Sequence, residues 1–473
     1  MARPSAKVAI AAIALLAICG ALAVIALGHR WTGTTALDGD TADTRSDNGQ
    51  SAARVESFIL SNGLEVVALP IAKAEKTVLM VWYRAGSADD PPGKSGLAHY
   101  VEHVTFSALG SHESGGGSKG THRPDRVKSQ PEAFTAYDYT AYYQVTSRER
   151  LDDALRLEAD RMANLRIDEA AVNAERRAVF DEREHDVDGD PEALLEERLR
   201  AVLFGNGPYG RPVVAPVVDT ARVSSADVRA FLDRWYSPSN AILIVAGDVD
   251  VDTLRSAVNS NFGQITGPSI PKRERPTASR HSERRALLES NRSPQALWGR
   301  TCLAPSFRTA DPREVLSLQM LARILATVNG GRLRQAVIED RRIAAEVVAE
   351  YDPDAVGDAV FAIHATLAPN ADLAEFETVI ESELADLVSR GVSAEVVAEA
   401  RKAALAEYTR VWRDPFDVAS MFGAALATGG TLADMEKWPQ LVSSVEPQDI
   451  RAAARQLFAA DKCAIGTLGA SGE

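Results

Sequence analysis

Two histidines and a glutamate stand at positions i, i+3 and i+4 in the segment Gly96-Leu97-Ala98-His99-Tyr100-Val101-Glu102-His103. On a helix these three side chains share one face. Two neutral imidazoles one turn apart can hold one tetrahedral Zn²⁺, and a carboxylate between them can reach a metal-bound water as general base. The order His-x-x-Glu-His inverts the His-Glu-x-x-His zinc motif. The alternative is a solvated helix with scattered polar residues. Leu97, Ala98, Val101, Val104 and Phe106 argue against it, and so does the scarcity of His, of which the whole chain has 8. A catalytic zinc also needs a third protein ligand and one open position. The helix expected from Asp168 to about His185 offers Glu175 and Glu182, seven residues apart and so on one face. Exposed helices commonly carry such acidic pairs, so spacing alone selects neither.

The elements that must position these groups fall into two similar halves. Each opens on β-rich apolar stretches, Val66 to Pro70 and Thr77 to Tyr83 in the first, Ala296 to Ala304 in the second. Each continues into helices and closes on a β-rich run, Ala241 to Ala246 and Cys463 to Leu468. The helix-forming segment Ile167 to Glu182 aligns without gaps on Val392 to Glu407, with Asp168 and Ser393 as N-cap types at matching starts. We therefore expect an α+β fold of two homologous domains, each a mostly antiparallel sheet packed with helices. The expected divisions are 55–266 for the metal-bearing domain, 267–283 for a Pro- and charge-rich linker, and 284–473 for a metal-free domain.

Composition narrows the class further. The chain has 473 residues, 45% of them hydrophobic, which excludes disorder and leaves room for more than one core. Its formal net charge of −14 and lack of a basic stripe argue against a nucleic-acid partner. Cys19, Cys302 and Cys463 are too few for a disulfide-built scaffold. Cys302 and Cys463 fall on expected strands, where either a disulfide or two buried thiols would fit. At the front, Val8 to Leu27 carries no charge and follows Arg3 and Lys7. Residues 1–30 thus read as a membrane-anchoring apolar helix or a cleaved signal peptide. Residues 31–54 read as a flexible tether, and the body is expected on the outer side of a cell envelope, or secreted if the segment is cut.

Three stretches resemble the insulinase/pitrilysin family of zinc metallopeptidases, the inverzincins, and most closely its bacterial branch near mitochondrial processing peptidase. Gly96 to Phe106 (GLAHYVEHVTF) resembles the family's zinc helix, and Glu132 to Tyr143 (EAFTAYDYTAYY) its substrate strand. Leu155 to Glu184 resembles the helix pair that bears the distal ligand. The resemblance implies one Zn²⁺ per chain on His99, His103 and Glu182, with Glu102 as general base and Glu175 as an auxiliary acidic residue. It implies a zinc endopeptidase acting on peptides or unfolded segments, bound as an added strand along Ala133, Phe134 and Thr135. A catalytically weak scaffold subunit of the same fold is the alternative.

Two positions depart from the pattern. Glu132 stands where the family commonly has Asn, and an ionised Glu cannot donate a hydrogen bond. In the second half, after Gly330-Gly331-Arg332-Leu333, the family's Arg and Tyr positions hold Ile338 and Ala345. Arg341 and Tyr351 lie nearby at a different spacing. Either the register shifts, or a homologous partner subunit supplies the missing Arg/Tyr pair; the second is the expectation carried forward.

Overall fold

The structure is a computed structural model that describes residues 55–112, 131–165, 167–270, 273, 275, 284–290, 295–459 and 462–470. The apolar segment at 8–27, the tether, residues 113–130 and most of the linker lie outside the described residues. Among the described residues no helix is long and apolar enough to cross a membrane.

The first half builds a six-stranded sheet from β1 (Glu56–Ile59), β2 (Glu65–Pro70), β3 (Thr77–Tyr83), β4 (Pro131–Thr135), β5 (Thr140–Thr146) and β6 (Ala241–Gly247), in the spatial order β1-β2-β6-β3-β5-β4. Its helices are α1 (Leu97–His112), α2 (Leu151–Asn164), α3 (Glu169–Arg183), α4 (Pro191–Phe204), α5 (Ser225–Trp235) and α6 (Val251–Phe262). The second half has β7 (Arg284–Ser290), β8 (Leu297–Ala304), β9 (Ala344–Asp352), β10 (Ala359–Leu367) and β11 (Cys463–Ala470), ordered β7-β11-β8-β10-β9. It adds α7 (Pro312–Ala326), α8 (Leu373–Arg390), α9 (Ala394–Val411), α10 (Pro415–Ala427), α11 (Leu432–Ser443) and α12 (Pro447–Leu457).

Superposing the two strand orders maps β7-β11-β8-β10-β9 onto β2-β6-β3-β5-β4. In each sheet one pair is parallel, β2 with β6 and β7 with β11, and every other pair is antiparallel. The expected α+β fold with two like, mostly antiparallel sheets is therefore what the chain adopts. The matched helices agree as well: Asp168 caps α3 by accepting from the Ala171 N–H, and Ser393 caps α9 by accepting from the Val396 N–H.

One expectation needs correcting. Glu132 to Tyr143 is not one strand but a hairpin, β4 and β5 joined by residues 136–139 and closed by the Ala136 N–H to the Tyr139 carbonyl at 2.8 Å. The alternation of aromatic and small residues runs through the turn and conceals it. β4 is the outermost strand of its sheet among the described residues.

Strand β3 is buried along its whole length, because helices cover both sheet faces. Leu79, Val81 and Tyr83 meet α2 and α6 on one face. The other face is covered by α10, a helix of the second half: Gly423 lies so close to Trp82 that a Cβ there would sit 2.0 Å from the indole. The second sheet receives the reciprocal loan. Leu195, Leu199 and Leu203 of α4 pack with Leu297, Leu303, Ala464 and Leu468, and Leu199 and Leu195 lie over Gly299 and Gly466. Both exchanged helices begin with an Asp N-cap followed by Pro, Asp190-Pro191 and Asp414-Pro415.

The acidic run from Asp181 to Glu197, which reads as solvated in sequence, is partly structural. It contains a π-helical turn over Glu184–Asp188, and Arg183, only 4% exposed, bonds Asp188, Glu197 and the Val214 carbonyl. Of the two arrangements open to the cysteines, the structure has the disulfide: Cys302 and Cys463 are direct partners across β8 and β11, with S–S at 2.04 Å.

Candidate metal centre

The His-bearing helix is held at its start by a side chain outside the motif. Gly96 turns the chain at φ +78, and a Cβ there would sit 2.7 Å from the Ala215 side chain. The buried Asp90 then accepts from the Gly96 N–H through Oδ2 and from the Ala98 N–H through Oδ1, both at 2.8 Å. These are free donors of the first helical turn, so Asp90 serves as a cap from six residues upstream. Burial pushes its carboxyl up to about 7, against the pull of the Ala98 N–H, the Arg211 charge and the Gly96 N–H. Further along α1, the buried Tyr100 donates to the Val172 carbonyl at 2.7 Å and ties α1 to α3.

That tie brings the two helices' polar groups together. His99, His103 and Glu182 each offer a ligand atom, all within 4.8 Å of one another. His99 Nε2 stands 3.3 Å from Glu182 Oε1, and His103 Nε2 stands 2.8 Å from Glu182 Oε2. The buried Arg183 next door, with its bonds to Glu197 and Val214, holds the end of α3 in place for Glu182. Glu175 takes a different station. Its Oε2 is 3.8 Å from His103 Nδ1, the ring nitrogen that does not face Glu182, so it can orient that imidazole.

The electrostatics suit a dication. Glu102, Glu175 and Glu182 gather three carboxylates around two imidazoles in a largely buried site, and buried charges of one sign are stable only when paired or on a metal. Burial would raise Glu182, but the charge and hydrogen bonds of His99 and His103 hold it well below the usual carboxylate range. Burial would depress His103, but Glu175, Glu182 and Glu102 outweigh it and bring it up to about 10. His99, 3% exposed, leaves Nδ1 without a hydrogen-bond partner and directs Nε2 at the carboxylate. Two imidazoles and one carboxylate converging on one point fit a tetrahedral metal with its fourth position open.

Glu102 lies on the same face of α1, 9% exposed, with its carboxyl raised by burial against the opposing charges of His99 and His103. Thr135 Oγ1 donates to Glu102 Oε2 at 2.6 Å. The edge strand thus places its three expected contact residues differently. Thr135 points at Glu102, Phe134 packs against Trp82 with ring centroids 5.3 Å apart, and Ala133 is half-buried beside the helical core. Glu132 accepts a hydrogen bond from the Tyr143 hydroxyl, its direct partner across β4 and β5.

The two positions of the second half expected to carry Arg and Tyr hold neither. Ile338 is half-buried in a π-helical turn over Gln335–Asp340, and Ala345 is exposed on β9. Arg341 pairs with Glu375 at 3.7 Å, and Tyr351 donates to the Pro305 carbonyl.

Two groups of supporting residues lie outside the sequence motifs. Asp90 was signalled by the Asp-Pro-Pro-Gly turn before Gly96, which marks a helix entry. Arg273 and Arg275 were not signalled, because charge in a Pro-rich linker ordinarily reads as solvated. They are 8% and 6% exposed and bind Asp89, just upstream of Asp90, and Asp138 in the β4–β5 turn.

Comparison with known proteins is consistent with this architecture. Residues 66–217 match the family model described as Insulinase (Peptidase family M16), and residues 222–404 match Peptidase M16 inactive domain. The zinc protease PqqE of Helicobacter pylori is 27% identical over 295 residues, 62% of this chain and 65% of that protein. An uncharacterized zinc protease of Mycobacterium leprae is 27% identical over 406 residues, 84% of this chain and 88% of that one. Among solved structures, a protease from Helicobacter pylori superposes with a TM-score of 0.79 at 22% identity, covering 88% of this chain and 99% of that chain.

Proposed function

For a chain that belongs to the insulinase family of M16 peptidases, we propose the role of a zinc-dependent endopeptidase, with His99, His103 and Glu182 holding the metal and Glu102 as general base. The observation that carries this reading is the meeting of those three donors within 4.8 Å, beside a buried carboxylate on the same helix face. Zinc, when bound, supplies a Lewis acid that polarises a peptide carbonyl and makes water a competent nucleophile near neutral pH.

The chain's own residues supply the rest. Glu102, destabilised as an anion by its burial, takes a proton from the attacking water and can return it to the departing amine. Glu175 keeps His103 in orientation through Nδ1. The outer edge of β4 offers main-chain groups to a substrate strand, which recognises extended peptide with little demand on its sequence.

Stabilisation of the carbonyl oxygen by Arg and Tyr is the missing part. Ile338 and Ala345 hold those positions, and the neighbouring Arg341 and Tyr351 have other partners. This supports a site completed by a homologous subunit. The disulfide Cys302–Cys463 supports an oxidising compartment and, with the uncharged run 8–27, a body exported to the cell envelope.

The test is metal analysis and peptide cleavage by wild type and Glu102→Gln, each alone and beside a homologous partner chain. Stoichiometric zinc with Glu102-dependent cleavage is the expected result. Zinc binding without Glu102-dependent cleavage in either format turns the reading to the scaffold subunit, which the absent Arg/Tyr pair favours. Full activity of the isolated chain removes the need for a partner.

A further inference from the structure

Resting on the peptidase reading above, we propose that Thr135 is a positioning residue for Glu102, so that the strand expected to receive the substrate also aims the general base. A glutamate on a helix has three side-chain torsions to fix before its carboxylate has one location, and a base displaced by about 1 Å loses much of its rate. The His ligands are fixed by their convergence with Glu182. Glu102 is not one of them and needs its own restraint.

Thr135 provides it. Its hydroxyl is 2.6 Å from Glu102 Oε2, and both residues are under one-tenth exposed, so the bond between them is shielded from bulk solvent. The direction of the bond is set by the neighbours. Thr140 Oγ1, 3.3 Å from Thr135 Oγ1, gives its own proton to the Ala85 carbonyl at 3.0 Å. The Thr135 proton therefore goes to the nearer and stronger acceptor, the carboxylate. No described residue donates to Glu102 Oε1, which leaves one oxygen anchored and the other able to accept a proton from water.

The anchor is itself anchored. Thr135 and Thr140 are direct partners at the end of the hairpin. The turn between them carries Asp138, whose oxygens accept from Arg275, the Tyr209 hydroxyl and the Val356 N–H. Arg275 belongs to the linker and Val356 to the second half. The base is thus referenced, through one hairpin, to the packing of the two halves. A substrate strand lying along β4 would be located by the same hairpin, which sets the separation between carbonyl and base.

The experiment compares Thr135→Val, which keeps shape and loses the hydroxyl, with Thr135→Ser, which keeps the hydroxyl, in the full chain and any partner that activity requires. Thr135→Val should lower kcat by about 10- to 100-fold at unchanged KM and zinc content, and Thr135→Ser should recover to within about threefold. Crystal structures of the metal-free variants give a readout independent of turnover: Glu102 should leave its place in Thr135→Val and keep it in Thr135→Ser. Should the Val variant not fold, Thr135→Ala takes its place with the same expectations. The proposal is overturned if Glu102 keeps its position without the hydroxyl, or if Val and Ser variants lose kcat equally. If wild type and Glu102→Gln are equally inactive, the peptidase reading fails, and the crystallographic comparison still judges the Thr135–Glu102 link.

Discussion

Arg275 holds Asp138 with two of its nitrogens, Nε at 3.0 Å and an Nη at 2.9 Å from the same carboxylate oxygen, where neither side chain is more than 6% exposed. The adjacent edge of the guanidinium, sharing Nη2, takes Asp89 in a two-pronged contact at 2.8 and 2.9 Å. A linker arginine thereby fastens both the turn before the His-bearing helix and the turn of the edge hairpin. Removing it takes the bidentate charge partner from two buried carboxylates that keep other hydrogen bonds, and breaking a buried pair costs about 3–5 kcal/mol. Arg275→Ala should lose about that much stability in chemical denaturation, and Arg275→Lys should lose less. A loss below about 1 kcal/mol would show the carboxylates find water instead.

Substitution at Gly423 should reverse the usual sign of a helix propensity change. An exposed helical Gly→Ala change gains about 1 kcal/mol. Here the added methyl enters the Trp82 indole, so Gly423→Ala should destabilise by about 1–3 kcal/mol or more. A drop in Tm, with the intrinsic fluorescence of Trp82 altered, is the measurement.

Metal affinity separates the roles of Glu182 and Glu175. Glu182→Gln removes a donor of the triad and should abolish stoichiometric zinc in titration calorimetry. Glu175→Gln leaves the donors and weakens the orientation of His103, so affinity should fall by about 10- to 100-fold. Equal losses in the two variants would place Glu175 among the ligands.

The pH response of the helix entry follows from Asp90. Burial raises its carboxyl from the ordinary 3.8 to about 7, so between these values the folded chain holds a proton that the unfolded chain releases. Its contribution is present in full below pH about 4 and is lost as pH rises through about 7. Wild type should therefore lose stability across that window by up to about 4 kcal/mol relative to Asp90→Asn, which does not titrate. Parallel pH profiles for the two proteins would exclude the effect.

Removing the disulfide should cost about 2–5 kcal/mol, since it closes a separation of 161 residues. The double variant Cys302→Ala, Cys463→Ala and the reduced wild type should show similar falls in denaturation midpoint.

The residues proposed to do chemistry were legible because a zinc site would constrain type and spacing within one turn: His99, Glu102 and His103 identify their own face. Glu182 was legible only through resemblance, since a lone Glu on an acidic helix carries no mark of its own. The repeated halves showed in the alignment of two capped helices, because capping is a local code. What did not show was long-range. The β4–β5 turn was hidden by continuous β-forming residues. Asp138, Arg275 and Tyr209 look solvent-bound until the halves close on them. Thr135 reads as a strand residue, and only the approach of α1 makes its hydroxyl a partner of Glu102.

The loan of α4 to the second sheet and of α10 to the first has a consequence for how this protein can be divided. A cut within residues 267–283, between the two sheets, would not yield two autonomous modules, because each fragment would leave one sheet face bare and carry a helix with nothing beneath it. The fragments would be each other's missing piece. Co-expressed, they should recombine as a complementing pair, and expressed singly they should aggregate.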